Sequence, residues 1–314
     1  MEKERQQPKI YKTWVVDSTR WDYYQPRDGD IVIATYPKCG TTWMQQIVSL
    51  LIFQSPEPRP ILQISPWIDC RFRDSVEVMQ EMLKGQRHRR FLKSHLPFDS
   101  VPQCDHVRCI HVARDGRDAC MSQFNHWASF TPLAFQRLDL AAEEMGGPAP
   151  RALQDPRTFW REWLTKGVVP GETDGYPGLS YFDLEATYWR ARSAGNLLLV
   201  HFNDLKEDLA GEMQRIAEFL GLDPPRDVWP SLVEAASFEA MKRNGKALLP
   251  DFEKIFDGGS DRFLFKGTNS RWREVMTADD LALYDQVAKR LTPGLARWLQ
   301  SGRLVAGDPR TASD

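Results

Sequence analysis

A lysine, a glycine and two threonines stand close together in Thr35-Tyr-Pro-Lys-Cys-Gly-Thr-Thr-Trp43. Before them runs Asp30-Ile-Val-Ile-Ala34, which is short, apolar and β-branched; after them Met44–Phe53 carries apolar residues at helical spacing. The pattern predicts a buried strand, a tight loop and a helix. Gly40 lets the backbone approach a ligand closely. Thr41 and Thr42 put hydroxyls on the first helical turn, where unpaired N–H groups point outward. Lys38 adds a full positive charge. Such a junction binds anions, phosphate above all. Its order differs from that of a nucleoside triphosphate loop, where the lysine directly follows the last glycine of G-x-x-x-x-G-K-[ST]. Here Lys38 precedes Gly40 by two positions, and the earlier glycine is missing.

Other segments supply a base and more cations. Arg90-Phe-Leu-Lys-Ser-His-Leu-Pro97 is an apolar run ending in Lys93 and His95. Two residues apart on a strand, these side chains face the same way. The lysine's charge disfavours imidazolium, so His95 tends toward the neutral form, which can accept a proton. In Val112-Ala-Arg-Asp-Gly-Arg-Asp-Ala-Cys-Met-Ser122, Arg114 stands at a strand end and Asp115 suits a helix N-cap. Ser122 lies about two turns along that helix. A bidentate arginine and a hydroxyl suit a phosphate. Taken singly, these residues also fit plainer roles: a surface histidine, an Arg114–Asp118 ion pair, a solvent-facing serine. Phe263-Leu-Phe-Lys-Gly-Thr-Asn-Ser-Arg-Trp-Arg273 adds a basic loop.

The elements that must carry these residues can be read from periodicity. Strand-like runs at Ile31–Ala34, Val107–Val112 and Leu197–Phe202 alternate with helical patterns at Thr42–Phe53, Arg117–Trp127, Phe182–Ser193 and Gly211–Leu220. That alternation predicts an α/β fold, a central, mostly parallel sheet flanked by helices, with ligands beyond the carboxyl ends of the strands. The expected division is an N-terminal segment over 1–29, one domain over 30–300 and a flexible polar tail over 301–314. Residues 130–178 hold Gly146-Gly-Pro-Ala-Pro150, Pro156, Val169-Pro-Gly171 and Gly175-Tyr-Pro-Gly178, which interrupt short helical pieces such as Thr158–Leu164. This stretch reads either as a surface excursion or as a lid over an acceptor pocket.

Composition narrows the class. The 314-residue chain is 42% hydrophobic and carries a formal net charge of −2, which argues against a general binder of nucleic acid or membrane surfaces. No apolar run is long enough to span a bilayer, and Met1–Pro8 has no apolar signal core. The five cysteines show no C-x-x-C pair, which predicts reduced thiols in a cytoplasmic protein without a zinc site.

The loop at 35–43 closely resembles the T-Y-P-K-S-G-T-T-W loop of cytosolic-type sulfotransferases, with Cys39 in place of the serine. Lys93 and His95 match the family's K-T-H-L-P, and Arg114 and Ser122 match V-A-R-N-x-[KR]-D-x-x-x-S. The resemblance runs from about Asp30 to Thr277 and is closer to bacterial members than to animal ones. It implies a single α/β domain with a P-loop-like phosphosulfate loop. It also implies 3′-phosphoadenosine 5′-phosphosulfate as donor, adenosine 3′,5′-bisphosphate as product and no metal. His95 would be the general base, with Lys38 and Lys93 also catalytic. Lys38, Cys39, Gly40, Thr41 and Thr42 would hold the 5′-phosphosulfate. Arg114, Ser122, Lys266 and Gly267 would hold the 3′-phosphate. Trp43, Phe202 and Phe238 would lie at the adenine. Three departures touch the fourth segment: Phe265 replaces a 3′-phosphate arginine, Ser270 a glycine and Arg271 an aspartate. Arg262, Lys266, Arg271 and Arg273 are the candidates to compensate. Phe202 stands where the family has tyrosine.

The acceptor expected is a hydroxyl of a small molecule or glycolipid, with Pro37, Trp67, Phe72, Phe124 and His126 as pocket candidates by position. No nucleic-acid partner and no integral membrane segment are expected, and the oligomeric state stays open. So do two other classes. A small-molecule kinase would normally want a lysine directly after glycine and a magnesium-holding carboxylate. A nucleotide-binding homologue without catalysis would predict a broken base.

Overall fold

Residues 9–145, 147–151 and 155–314 are described by a computed structural model of the chain. Met1–Pro8 and Gly146, both used above in reading the sequence, lie outside the described residues. Four parallel strands make the sheet: β1 (Ile31–Ala34), β2 (Phe91–Ser94), β3 (Arg108–Ala113) and β4 (Leu197–His201), in the order β2-β1-β3-β4. The expected α/β architecture is what forms, with β2 supplied by the Lys93 segment.

Alternation along the strands explains the two-sided packing. Ile31, Ile33, Phe91, Ile110, Val112, Leu198 and Val200 face one core, shared with Met44, Ile47 and Leu51 of helix α1 (Thr41–Phe53). Val32, Ala34, Leu92, Cys109, Ala113, Leu197 and Leu199 face the other, shared with Phe159, Trp163, Tyr181 and Tyr188. Both faces are therefore dry, as a parallel sheet requires. Under the sheet edge, Asp30 and Arg90 form a buried ion pair between the residues that precede β1 and β2.

The strand order places a crossover switch at β1, which pairs with β2 on one side and β3 on the other. Loops leaving β1 and β3 diverge there and open a crevice. Helix α1 begins at once after the β1 loop. Its N-cap is Gly40, at φ 109°, so no side chain caps the helix. The first intrahelical bond is Met44 N–H to Gly40 O, which leaves the N–H groups of residues 40–43 without intrahelical acceptors.

Two expectations need correction. The 130–178 stretch is not one excursion. Its helix Pro156–Thr165 is core: Trp160 and Trp163 are fully buried, Trp160 Nε1 donates to Asp280 O, and Trp163 Nε1 donates to Tyr36 O–H. The helical piece read at Thr158–Leu164 is thus an amphipathic helix with its aromatic face inward. The tail over 301–314 is folded onto the body. Asp314 accepts from Trp189 Nε1 and Thr292 Oγ1, and Arg192 donates to the carbonyls of Pro309 and Ala312. Polar composition there serves hydrogen bonds to the fold. Residues before β1 also pack inward, burying Tyr11, Val16, Trp21 and Tyr24.

One glycine links the fold to the crevice. An added Cβ at Gly116, the first residue of the helix Gly116–Trp127, would lie 2.6 Å from the Tyr181 ring and 2.7 Å from Tyr284 Oη. Tyr181 cannot easily give way, because its hydroxyl donates to Arg114 O at 2.6 Å. Alanine's helix propensity would favour Gly116→Ala by up to about 1 kcal/mol, but overpacking costs about 1–3 kcal/mol. The variant should be net destabilised in urea unfolding. Unchanged or raised stability would mean that the two tyrosines do not fix this turn.

Candidate active site

All four strands deliver residues to one cavity of about 650 Å3. From the β1 loop come Pro37, Lys38, Gly40, Thr41, Thr42 and Trp43; from β2 and its end, Lys93 and His95. Beyond β3 come Arg114, Ser122 and His126, and beyond β4 comes Phe202. Lys266, Gly267 and Phe238 close one end, and Trp67 and Phe72 line another part of the wall.

His95 is buried and oriented. Its Nδ1 lies 2.8 Å from Thr35 O, which can only accept, so Nδ1 carries the proton. The other ring nitrogen, Nε2, is then the free lone pair. Burial, followed by the charges of Lys93 and Lys38, pushes the imidazole pKa well below its ordinary value. The neutral base read from the sequence thus has a larger cause than the neighbouring lysine: desolvation. The ring also meets the Trp67 indole edge-on, centroids 4.8 Å apart.

Both lysines are shifted toward neutrality. Burial, then Lys93 and Arg114, lowers Lys38 to about 7; burial lowers Lys93 to about 8. Lys38 sits at φ 71°, a left-handed conformation disfavoured for a side chain with a Cβ. Its Nζ lies 3.4 Å from His126 Nδ1 and 4.1 Å from the centroid of Phe263. Lys93 Nζ lies 3.8 Å above the Trp67 ring.

Arg114 does not pair with Asp118, the plainer role considered above. It donates to Asn269 Oδ1, Thr268 O and Lys38 O, and its guanidinium stacks on Phe202 at 4.3 Å. Asp118 instead accepts from Ser270 N–H at 2.6 Å, fixing the basic loop. Phe202 fills the space over Gly40, where an added Cβ would approach its ring at 3.2 Å, and meets Trp43 at 5.3 Å. Gly267, at φ 62°, lies directly against Phe238. Of the four cations named as possible compensation for Phe265, Arg271 and Lys266 line the cavity. Arg262 lies over the Phe265 ring and Arg273 over Trp272.

Two expected site residues are displaced. Cys39 points its thiol into the core, fully buried, and its N–H donates to Tyr36 O at 3.3 Å, so neither group faces the cavity. Phe124 turns away and packs on Phe159, centroids 5.8 Å apart. On a helix, Ser122 and His126 share a face, while position 124 lies about 200° from each. The sequence reading missed Thr35, Gln123, Asn269 and Asp69. Gln123 takes the end of a relay in which Trp163 Nε1 donates to Tyr36 O–H and Tyr36 donates to Gln123 Oε1. Gln123 could have been found as the neighbour of Ser122 on the face that includes His126. The N-terminal segment also contributes Thr13, Val15 and Val16 to the wall.

The sulfotransferase domain model matches residues 28–298. The chain belongs to the sulfotransferase family. A glycolipid sulfotransferase of Mycobacterium bovis (strain BCG / Pasteur 1173P2) is 32% identical over 315 residues, covering 94% of each chain. Mouse sulfotransferase 1B1 is 27% identical over 91% of this chain and 90% of its own length. The fold matches retinol dehydratase, crystallised with androsterone and the inactive cofactor PAP, at a TM-score of 0.66 and 22% identity over 88% of each chain. Mouse sulfotransferase SULT7A1, complexed with PAP, gives the same TM-score and identity over 88% of this chain and 89% of that one. The resemblance read from the motifs is thereby established at family level, including its bacterial leaning.

The tautomer and charge of His95 generate a direct test. Nitrogen-15 NMR at pH 7 should show a neutral ring protonated at Nδ1, and the imidazolium should appear only well below pH 6.5. A protonated ring at pH 7, or the Nε2–H tautomer, would contradict the Thr35 hydrogen bond.

Proposed function

We propose that this sulfotransferase moves a sulfuryl group from 3′-phosphoadenosine 5′-phosphosulfate to a hydroxyl of an acceptor with an apolar body, releasing adenosine 3′,5′-bisphosphate. The observation that carries this reading is the grouping of a neutral histidine lone pair with Lys38, Lys93, Arg114 and Arg271 in one cavity. The first-turn N–H groups of α1 add donors of the kind a phosphosulfate needs. Cations and free N–H donors that have no carboxylate partner among the described residues fit a polyanionic ligand.

His95 Nε2 takes the acceptor's hydroxyl proton as its oxygen forms a bond to sulfur in line with the bridging S–O bond, which breaks. Lys38, Lys93 and the N–H groups of residues 40–42 hold the negative charge that develops on the bridging oxygen. Arg114, Ser122, Lys266, Gly267 and Arg271 hold the 3′-phosphate, with Arg271 standing in for the arginine that Phe265 replaces. Trp43, Phe202 and Phe238 flank the adenine. Trp67, Phe72, Phe130, Phe252 and Phe256 give the remaining wall an apolar surface. That surface and the named activity of the mycobacterial relative support a glycolipid or comparable amphiphile as acceptor.

The test is calorimetric binding of adenosine 3′,5′-bisphosphate against ATP with magnesium, followed by transfer of labelled sulfuryl to a panel of hydroxylated lipids and phenols. His95→Asn should retain the nucleotide product's affinity and lose turnover. Preference for ATP with magnesium would favour a kinase, and full turnover by His95→Asn would remove His95 as base.

Product binding should also take up protons. A bound polyanion raises the pKa of Lys38 and Lys93 above the values of about 7 and 8 in the free site. Both lysines are then charged in the complex while partly neutral in the free protein. Affinity should be greatest below pH 7 and fall as pH rises from the free-site values of about 7 and 8 up to the bound-state values, by up to about tenfold per pH unit per lysine. Calorimetry in buffers of different ionisation enthalpy measures the uptake directly; release of protons, or none between pH 7 and 9, would show that the lysines do not face the phosphates.

A further inference from the structure

We infer that Asp69 is a positioning residue for the reaction, fixing Trp67, Ser94 and His95 so that the lysine and base of β2 meet the acceptor in register. The inference rests on the sulfuryl-transfer reading above. Asp69 is fully buried and touches no reacting group. Its carboxylate receives four donors from three parts of the chain. Oδ1 accepts from Trp67 Nε1 at 2.5 Å and from the His95 backbone N–H at 3.3 Å. Oδ2 accepts from Ser94 Oγ at 2.5 Å and from Trp21 Nε1 at 3.1 Å. No cation pairs with it within 4 Å among the described residues, so neutral donors alone satisfy the buried charge.

The Trp67 indole held by Oδ1 presents its face to Lys93 Nζ, 3.8 Å away, and stands nearly perpendicular to the His95 ring, with centroids 4.8 Å apart. The same oxygen holds the backbone of His95, whose ring is fixed at its other end by Thr35 O. Ser94, between the two functional residues, is tied by Oδ2 and in turn accepts from Leu96 N–H at 3.1 Å. A single carboxylate therefore sets the backbone at residues 94–95 and the indole that lies under Lys93 and against the His95 ring. A neutral substitute would leave buried N–H and O–H donors unpaired. Asn offers one acceptor oxygen, and its amide would confront two of the four donors.

Charge enters as a secondary effect. Asp69 favours the ammonium form of Lys93, against the effect of burial and of Arg73. The other charged or titratable groups acting around Lys93 are Cys70 on the Asp69 loop, His95 on the β2 end, Lys38 of the β1 loop and His126 of the Gly116–Trp127 helix.

The experiment compares wild type, Asp69→Asn and Trp67→Phe in the full chain. Asp69→Asn should lower kcat about 10- to 100-fold, by analogy with other residues that orient a reacting side chain through a hydrogen bond. The alkaline limb of its pH–rate profile should move to lower pH, because Lys93 loses a favourable charge. Affinity for adenosine 3′,5′-bisphosphate should stay within about threefold of wild type, since the Arg114 contacts are untouched. Trp67→Phe keeps an aromatic ring under Lys93 but deletes the Nε1–H bond and part of the acceptor wall, so it decides the matter, if Asp69→Asn does not fold, through its KM-against-kcat split: a lowered kcat with product affinity and acceptor KM both within about threefold of wild type is expected. Unchanged kcat in the folded variant overturns the inference. So does a loss of product affinity equal to the loss of kcat, which would mark Asp69 as general scaffold. A wild-type protein that binds no adenosine 3′,5′-bisphosphate and transfers no sulfuryl group would instead overturn the functional reading itself.

Discussion

Positive charge held inside a cavity without carboxylate partners is the constraint on which the rest of this structure depends. Lys38, Lys93, Arg114 and Arg271 all line the cavity, and none has a carboxylate within ion-pair distance among the described residues. Burial lowers the pKa of each. A salt bridge at any of them would relieve that cost, but it would also cancel the charge and compete with the ligand. Aromatic faces take the place of carboxylates: Phe263 for Lys38, Trp67 for Lys93, Phe202 for Arg114 and Phe265 for Arg271, at 3.8–5.3 Å. A cation–π contact contributes about 0.5–2 kcal/mol, less than the several kcal/mol needed to desolvate an ion. It steadies a cation without neutralising it. The two aromatic departures from the family pattern, Phe202 and Phe265, both fall in this role.

Carboxylates are present nearby, yet they act on the backbone that carries the cations. Asp118 ties Ser270 N–H, Asp115 caps the helix after Arg114, and Asp69 ties the His95 N–H. Each accepts from a neutral donor at the joint of a loop, which sets direction without supplying a counter-ion to the functional lysines and arginines. The remaining desolvation cost is offset by a tightly filled double core, in which Trp160, Trp163, Tyr36, Tyr181 and Tyr188 are fully buried. Three of these also reach the site through hydrogen bonds: Trp163 and Tyr36 orient Gln123, and Tyr181 holds Arg114 O.

What could be read in the sequence was what lies along one strand and its following loop. Lys38, Lys93, His95 and Arg114 were legible because each sits at or just after a strand end, where local pattern and site geometry coincide. Helical phase is legible too: it excludes Phe124 and admits Gln123. Cys39 was assigned by its place in a motif, although a thiol flanked by an inward-facing core has no reason to turn outward. Asp69 and Asn269 were out of reach. Asp69 meets His95 across 26 positions and Asn269 meets Arg114 across 155, and no local periodicity encodes such partners. The same holds for the tail, whose Asp314 contacts form only once Trp189 and Thr292 have been brought together.

One field produces two different chemical states in this cavity. Burial removes water from His95 and from both lysines, and in each case it disfavours the cation. The starting points differ: the ordinary values are 6.5 for histidine and 10.5 for lysine. A shift in the same direction takes the histidine well clear of neutral pH, leaving a base with its lone pair available. It takes the lysines only to about 7 and 8, where they still bind a proton readily once an anion arrives. No separate device is required to make one group basic and the others cationic. A cavity wall that desolvates these two residue types, with no carboxylate within ion-pair distance of them among the described residues, is sufficient. It follows that greater exposure of these groups would act on both functions together, returning His95 toward imidazolium and the lysines toward permanent charge. The aromatic wall of the cavity, Trp67 included, is therefore part of what keeps His95 neutral.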